Sequence, residues 1–175
     1  MRNYDYSCAG AYFVTVCAVD QGRLFGEVSD GEMEENDYAE AVRHCWEDLP
    51  DHYPHAALDA FVIMPNHIHG IVVLTGRSPV PTDGERADDE RAGFKPAPTG
   101  GAPPRHGLPE IVRALKTYSA RRINALRGTP GAAVWQRGYY EHVVRDERDM
   151  ERIREYIVSN PRNWQKDREY IPPHP

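Results

Sequence analysis

Apolar residues recur along this chain with two different periods, and the switches between them outline a fold. Residues 11–18, Ala-Tyr-Phe-Val-Thr-Val-Cys-Ala, are rich in β-branched and aromatic side chains and predict a first strand. Residues 21–26 predict a turn followed by a short extended piece. From about residue 34 to residue 49, Tyr38, Ala41, Val42, Cys45, Trp46 and Leu49 recur at three- and four-residue steps. That spacing predicts an amphipathic helix closed by Pro50. Residues 57–64 and 67–74 predict a second and a third strand, with Pro65-Asn66 as a tight turn or a bulge between them. Residues 108–126 predict a basic helix with Val112, Leu115, Ala120 and Ile123 inward, broken by Gly128-Thr129-Pro130-Gly131. Residues 134–145 predict a fourth strand with room for a bulge at Gly138, and residues 147–159 a last helix with Asp146 as N-cap and Pro161 beyond its end.

The order strand, helix, strand, strand, helix, strand, helix points to an α+β fold. Its first six elements fit the split βαβ, ferredoxin-like plan: a four-stranded antiparallel sheet with helices on one face, to which a C-terminal helix is added. A chain of 175 residues with 40% hydrophobic content suits one domain, here 1–175, with its own core. Residues 76–106 differ in character, with Gly, Pro, Asp, Arg and Thr dominant, and predict a flexible insertion. No apolar run approaches the roughly 20 residues of a membrane span, and the N-terminus lacks a signal-peptide pattern. Cys8, Cys17 and Cys45 are too few and too scattered for a disulfide framework, so reduced thiols in a cytoplasmic protein are expected.

Charge changes the picture. The net charge of −6 argues against a nucleic-acid partner, yet residues 1–104 hold 7 Lys/Arg against 18 Asp/Glu while residues 105–175 hold 14 against 9. A polyanion responds to the local field rather than the total, so the second half remains a candidate phosphate-binding surface.

The candidate chemistry starts in the third strand. In Met64-Pro65-Asn66-His67-Ile68-His69-Gly70 the two histidines are separated by one apolar residue, so on a strand they face the same way. Two imidazoles on one face can share a divalent ion, although a bare His-x-His is more often a pair of half-exposed strand histidines. In the last helix, Met150, Ile153 and Ile157 form the apolar stripe, and Tyr156 and Asn160, four apart, lie on its flank. If that helix crosses the third strand, Tyr156 stands beside the histidines as a nucleophile and Asn160 can add an oxygen ligand. The competing readings are a core-edge tyrosine and a helix C-cap. A phenol with a pKa near 10 needs help to attack at neutral pH, and a cation on a scissile phosphate supplies part of it.

Residues 64–70 resemble the His-hydrophobic-His motif of the single-tyrosine HUH transposases. Trp135-Gln136-Arg137-Gly138-Tyr139-Tyr140-Glu141-His142-Val143-Val144-Arg145 and Arg154-Glu155-Tyr156-Ile157-Val158-Ser159-Asn160-Pro161 resemble the C-terminal signature of the REP-associated tyrosine transposase branch. The opening Tyr4-Asp5-Tyr6-Ser7 and Tyr12-Phe13-Val14-Thr15-Val16-Cys17 is similar to that branch as well. The resemblance covers nearly the whole chain outside 76–106. It implies a ferredoxin-like endonuclease and strand transferase that acts on single-stranded DNA at palindromic hairpin repeats. It further implies a Mg²⁺ or Mn²⁺ ion and a covalent 5′-phosphotyrosine intermediate. By position it makes His67, His69 and Asn160 metal ligands and Tyr156 the nucleophile. The enzyme would work in the cytoplasm, at the nucleoid, as a monomer or homodimer.

Tyr118, Tyr139 and Tyr140 are rival nucleophiles, and Tyr118 also suits stacking on a base. Arg105, Arg113, Lys116, Arg121, Arg122, Arg137 and Arg145 are candidate DNA contacts, in a stretch whose phosphate pairing would give affinity without sequence preference. Trp135 is expected in the core, with stacking on an unpaired base as the competing reading, and His142 as a structural group or phosphate contact. Two other functions compete: a catalytically inactive structured-DNA or RNA-binding protein, and a hydrolytic metal enzyme that uses His67 and His69 with bound water.

Overall fold

The computed structural model of the protein describes residues 9–75 and 107–172. The expected insertion at 76–106, Arg105 and residues 4–7 lie outside the described residues. In chain order the elements are β1 (Gly10–Cys17), β2 (Gly26–Ser29), β3 (Glu32–Glu35), α1 (Asp37–Glu47), α2 (Leu49–His52), β4 (Ala56–Met64), β5 (His67–Leu74), α3 (Leu108–Leu126), β6 (Tyr140–Val144) and α4 (Glu147–Ser159), followed by a 3₁₀ helix at Pro161–Lys166.

The main sheet has the order β4-β5-β1-β6, antiparallel throughout, which is the ferredoxin-like arrangement. Strand alternation sorts its side chains onto two faces. Tyr12, Val14, Val16, Ile68 and Val72 pack under α1 and α3 in the larger core, whereas Phe13 and Ile71 pack against Ile153 and Ile157 of α4. Two helices therefore cover one face and the C-terminal helix occupies the other. His67 and His69 alternate with Ile68 and so stand on the α4 face.

Three expected boundaries need correction. The helix expected from residue 34 starts at Asp37, because Asn36 caps it by accepting from the Tyr38 and Ala39 N–H groups, and Glu32–Glu35 pairs with Gly26–Ser29 as a hairpin. Its two-residue turn is Asp30-Gly31 with φ of 52° and 81°, the left-handed pair that a tight hairpin turn demands. Pro50 does not end the helical region; it sits in the first turn of α2, where a missing N–H costs nothing. The strand expected at 134–145 shortens to Tyr140–Val144, with Trp135 making an isolated bridge to Ala18. Trp135 is buried as expected, 5.0 Å from the Phe25 ring, with its indole N–H donated to Ser119 Oγ.

Gly70 explains how β5 runs so close beneath α1. A Cβ there would lie 2.4 and 2.7 Å from Trp46 ring atoms and 3.1 Å from Phe61. Those rings are stacked at 4.5 Å and 10°, which leaves neither free to yield. Gly70→Ala is therefore expected to destabilise the fold by roughly 2–3 kcal/mol through overpacking. An unchanged urea midpoint would contradict this packing.

Candidate active site

Strand β5 opens with the histidine pair almost fully withdrawn from solvent, His67 at 0% and His69 at 3% exposure. Their Nε2 atoms lie 2.9 Å apart and face one gap. The outer nitrogens are held by neighbours. Asn66 donates its amide Nδ2 to the carbonyls of Gln21 and Glu169, which turns Oδ1 toward His67 Nδ1 at 2.8 Å. That oxygen only accepts, so His67 carries its proton on Nδ1 and offers the Nε2 lone pair to the gap. Thr15 Oγ1, 2.9 Å from His69 Nδ1, can hold His69 in the same tautomer. Burial, then the field of His69, keeps His67 neutral with its pKa lowered to about 3, against the pull of Asp167.

Helix α4 brings the tyrosine to this gap. Its start is fixed by Asp146, which accepts from Asp149 N–H, and its stripe of Ile153 and Ile157 is buried on the sheet. Arg154 grips Asp59 of β4 with two hydrogen bonds of 2.8 Å, and Asp149 takes His142 of β6 at 2.9 Å. The helix is thus tied at both edges of the sheet, and His142 serves one of these ties. Tyr156 Oη ends 3.2 Å from His69 Nε2, within the same chain.

A residue that sequence reasoning missed completes the cluster. After α4, the 3₁₀ helix seats Trp164 5.9 Å from the His67 ring and turns Asp167 into the gap. Asp167 Oδ1 is 3.8 Å from His67 Nε2, and Oδ2 is 3.7 Å from His69 Nε2. Oδ2 also accepts from Tyr156 Oη at 2.8 Å and from Asn160 Nδ2 at 2.7 Å. Burial works against the Asp167 charge. The proximity of the imidazoles and the hydrogen bonds from Asn160 and the Glu169 N–H outweigh it and hold the carboxyl well below the ordinary carboxylate range. Burial, with Asp167 as hydrogen-bond acceptor and neighbouring charge, pushes the Tyr156 phenol well above its ordinary value. Asn160, only 2% exposed, sits at the helix C-cap, and its Oδ1 is buried without a hydrogen-bond partner.

These features fit a cation. His67, His69 and Asp167 each present a ligand atom within 4.8 Å of the others. Two inward lone pairs and an ionised carboxylate repel one another unless positive charge lies between them. Asn160 faces this cluster through Nδ2, which donates to Asp167, while its Oδ1 stays buried and unpartnered. Sequence periodicity could not reveal Asp167, because it lies beyond the last helix in no repeating pattern.

The expected DNA contacts do not form one surface around this cluster. Arg113, Lys116 and Arg137 line a groove between α3 and residues 132–139. Arg121 stands over the Tyr118 ring and Arg122 pairs with Asp48 on another flank of α3, while Arg145 is exposed at the β6–α4 junction. Since α3 covers the sheet face away from the histidines, its arginines lie behind the site. Among the described residues, the cation that lines the groove beside Tyr156 is Arg168. Lys116 is engaged elsewhere: Nζ donates to the carbonyls of Gln136, Arg137 and Gly138 at 2.5, 3.0 and 3.2 Å, stapling the segment that walls that groove. Lys116→Met is accordingly expected to cost about 1–3 kcal/mol in a denaturant titration. A variant of unchanged stability whose DNA affinity loses salt dependence would restore the phosphate role.

Among the described residues no helix is long and apolar enough to cross a membrane. Residues 101–160 match the family model for IS200-like transposases. Over 163 residues the chain is 35% identical to an uncharacterized protein of Haemophilus influenzae, covering 89% of this chain and 82% of that one. A second protein of that organism, named "Putative REP-associated tyrosine transposase", is 26% identical over 159 residues, covering 89% and 73%. A solved REP-associated tyrosine transposase bound to a REP hairpin shares the fold with a TM-score of 0.55 at 20% identity, over 92% of this chain and 73% of that one. Through residues 101–160 the chain is thus similar to the IS200-like transposases, and the second Haemophilus relative and the shared fold extend the likeness to REP-associated tyrosine transposases.

Proposed function

We propose that this protein is a transposase of the REP-associated, IS200-like kind that nicks and rejoins single-stranded DNA at palindromic hairpin repeats through a covalent 5′-phosphotyrosine. The observation that carries this reading is the position of Tyr156 Oη, 3.2 Å from His69 Nε2 and 2.8 Å from Asp167 Oδ2, on a gap ringed by inward-facing ligands. His67, His69 and Asp167 would hold a divalent ion, with Asn160 as the fourth donor. Paired imidazoles favour Mn²⁺ over Mg²⁺. Such an ion, when bound, draws charge from the phosphorus and fixes the phosphate for in-line attack.

The chain's own groups do the rest. Asp167 Oδ2 accepts the phenolic proton as Tyr156 Oη bonds to phosphorus. The bond from phosphorus to the 3′ oxygen breaks as Asp167 passes that proton to the leaving oxygen, giving a free 3′ hydroxyl and the 5′ phosphate on Tyr156. Attack by a 3′ hydroxyl reverses the step, so strands exchange without ATP. The hairpin partner of the structural relative supports hairpin DNA as substrate here. A DNA substrate would locate the protein at the nucleoid, in the cytoplasm. The ties of α4 to Asp59 and His142 favour a tyrosine acting in cis in a monomer.

The test is incubation of the protein with hairpin-bearing single-stranded oligonucleotides and Mn²⁺, resolved on a denaturing gel. Protein-linked DNA is expected. Free 5′-phosphate ends with no adduct would point to water as the nucleophile, and hairpin binding without cleavage to a binding module.

A further inference from the structure

Beside the nucleophile stands an aromatic ring to which that chemistry gives no task. Tyr140 begins β6 at the edge of the sheet and pairs in register with Thr15, so it shares the face of Thr15 and His69. It is 52% exposed, whereas its neighbour Tyr139 points to the opposite face and packs on the larger core. A large ring left half in water on a sheet edge offers an unused π-face. The ring does not hang free. It meets Phe13 edge-on at 6.3 Å, and Phe13, only 8% exposed, stacks on His69 at 5.3 Å and meets Tyr156 edge-on at 6.1 Å. One buried ring thus braces both the nucleophile and the exposed ring. A groove of about 470 Å³ runs from Tyr156 and Asp167 past Tyr140 to Gln136, with Arg168 and Glu169 on its other wall. That volume falls in the range of sites that take a nucleotide-sized ligand.

Resting on the nicking activity proposed above, we propose that Tyr140 is a stacking platform for the nucleobase adjoining the scissile phosphate. With the phosphate at Tyr156 Oη, a neighbouring base laid along the groove meets the Tyr140 ring face, and Arg168 stands near the connecting backbone. Stacking tolerates any base, since each has a π-face. The subsite therefore grips unpaired DNA without reading it, and it rejects a duplex, whose bases keep their stacking partners. Specificity for a repeat must come from other contacts.

The probe is a short oligothymidylate carrying a single 2-aminopurine, titrated into the full chain without divalent ion so that no cleavage intervenes. The wild type and Tyr140→Phe should quench 2-aminopurine on binding. Tyr140→Leu and Tyr140→Gln should lose the quench and bind roughly five- to hundredfold more weakly. The exposed ring makes both replacements compatible with folding, which circular dichroism checks. Equal affinity and equal quench in both of these variants would overturn the proposal, as would a wild type that does not bind the probe. Recovery of DNA-linked Tyr140 from an adduct digest would overturn it too. Tyr156→Phe should retain the quench whether or not Tyr156 is the nucleophile, so this readout and the adduct gel fail independently.

Discussion

Tyr156→Phe should fold like the wild type, bind hairpin DNA, and form no covalent adduct. The substitution removes one hydroxyl from a ring that is 41% exposed, and with it the hydrogen bond to Asp167. Losing that bond changes stability by only about 1 kcal/mol, and the Phe13 contact to the ring survives. Cleavage should fall by at least about a thousandfold, because the remaining groups can orient a phosphate but have nothing to transfer it to. A protein-linked product that persists in this variant would remove Tyr156 from the chemistry. Tyr140 is the rival to check first, since it opens on the same groove.

The second large effect concerns the ligand cluster. His69→Ala should weaken Mn²⁺ binding by more than about a hundredfold, since loss of an outer partner alone commonly costs 10–100-fold. His67→Ala should behave alike, because both Nε2 atoms face the same gap. Asp167→Asn is expected to cost more than Asn160→Ala. A carboxylate brings charge to the cation, whereas the Asn160 amide brings only the dipole of its unpartnered oxygen. Calorimetric titration with Mn²⁺ measures each constant. The wild type should also gain about 2.7 kcal/mol of stability at a Mn²⁺ concentration one hundred times its Kd, a gain missing from His69→Ala. If all four variants bind Mn²⁺ as the wild type does, the cluster is a buried polar network and not a metal site.

Much of this arrangement was legible before any coordinates, and the exceptions have physical causes. Strand β5, helix α3 and helix α4 match their expected bounds because each carries a clean hydrophobic period bounded by a cap or breaker. The hairpin at 26–35 escaped notice although Asp30-Gly31 is a strong turn signal. Its strands are four residues each and carry one large apolar side chain apiece, Val28 and Met33, too few for an alternation to announce them. The fourth strand was overextended because Val134 and Trp135 are apolar for another reason: Trp135 fills the core through Phe25 and Ser119 rather than lengthening the ladder. Lys116 and the arginines of α3 share only their charge, and charge along a helix does not tell which layer of the fold that helix occupies.

What the chain order alone determined is local chemistry. Alternation on a strand puts His67 and His69 on one face, and the helical repeat puts Tyr156 beside the buried stripe of α4, whatever lies around them. Only the tertiary structure decided which groups meet there. Asp167, 98 residues from His69 with no pattern to mark it, reaches the gap because Trp164 seats the turn that carries it. Lys116 reaches three carbonyls, and Tyr140 shares the face of Thr15 and His69 because β6 pairs with β1 in one register. Periodicity encodes which way a side chain points from its own element; packing between elements distant in sequence sets what it points at.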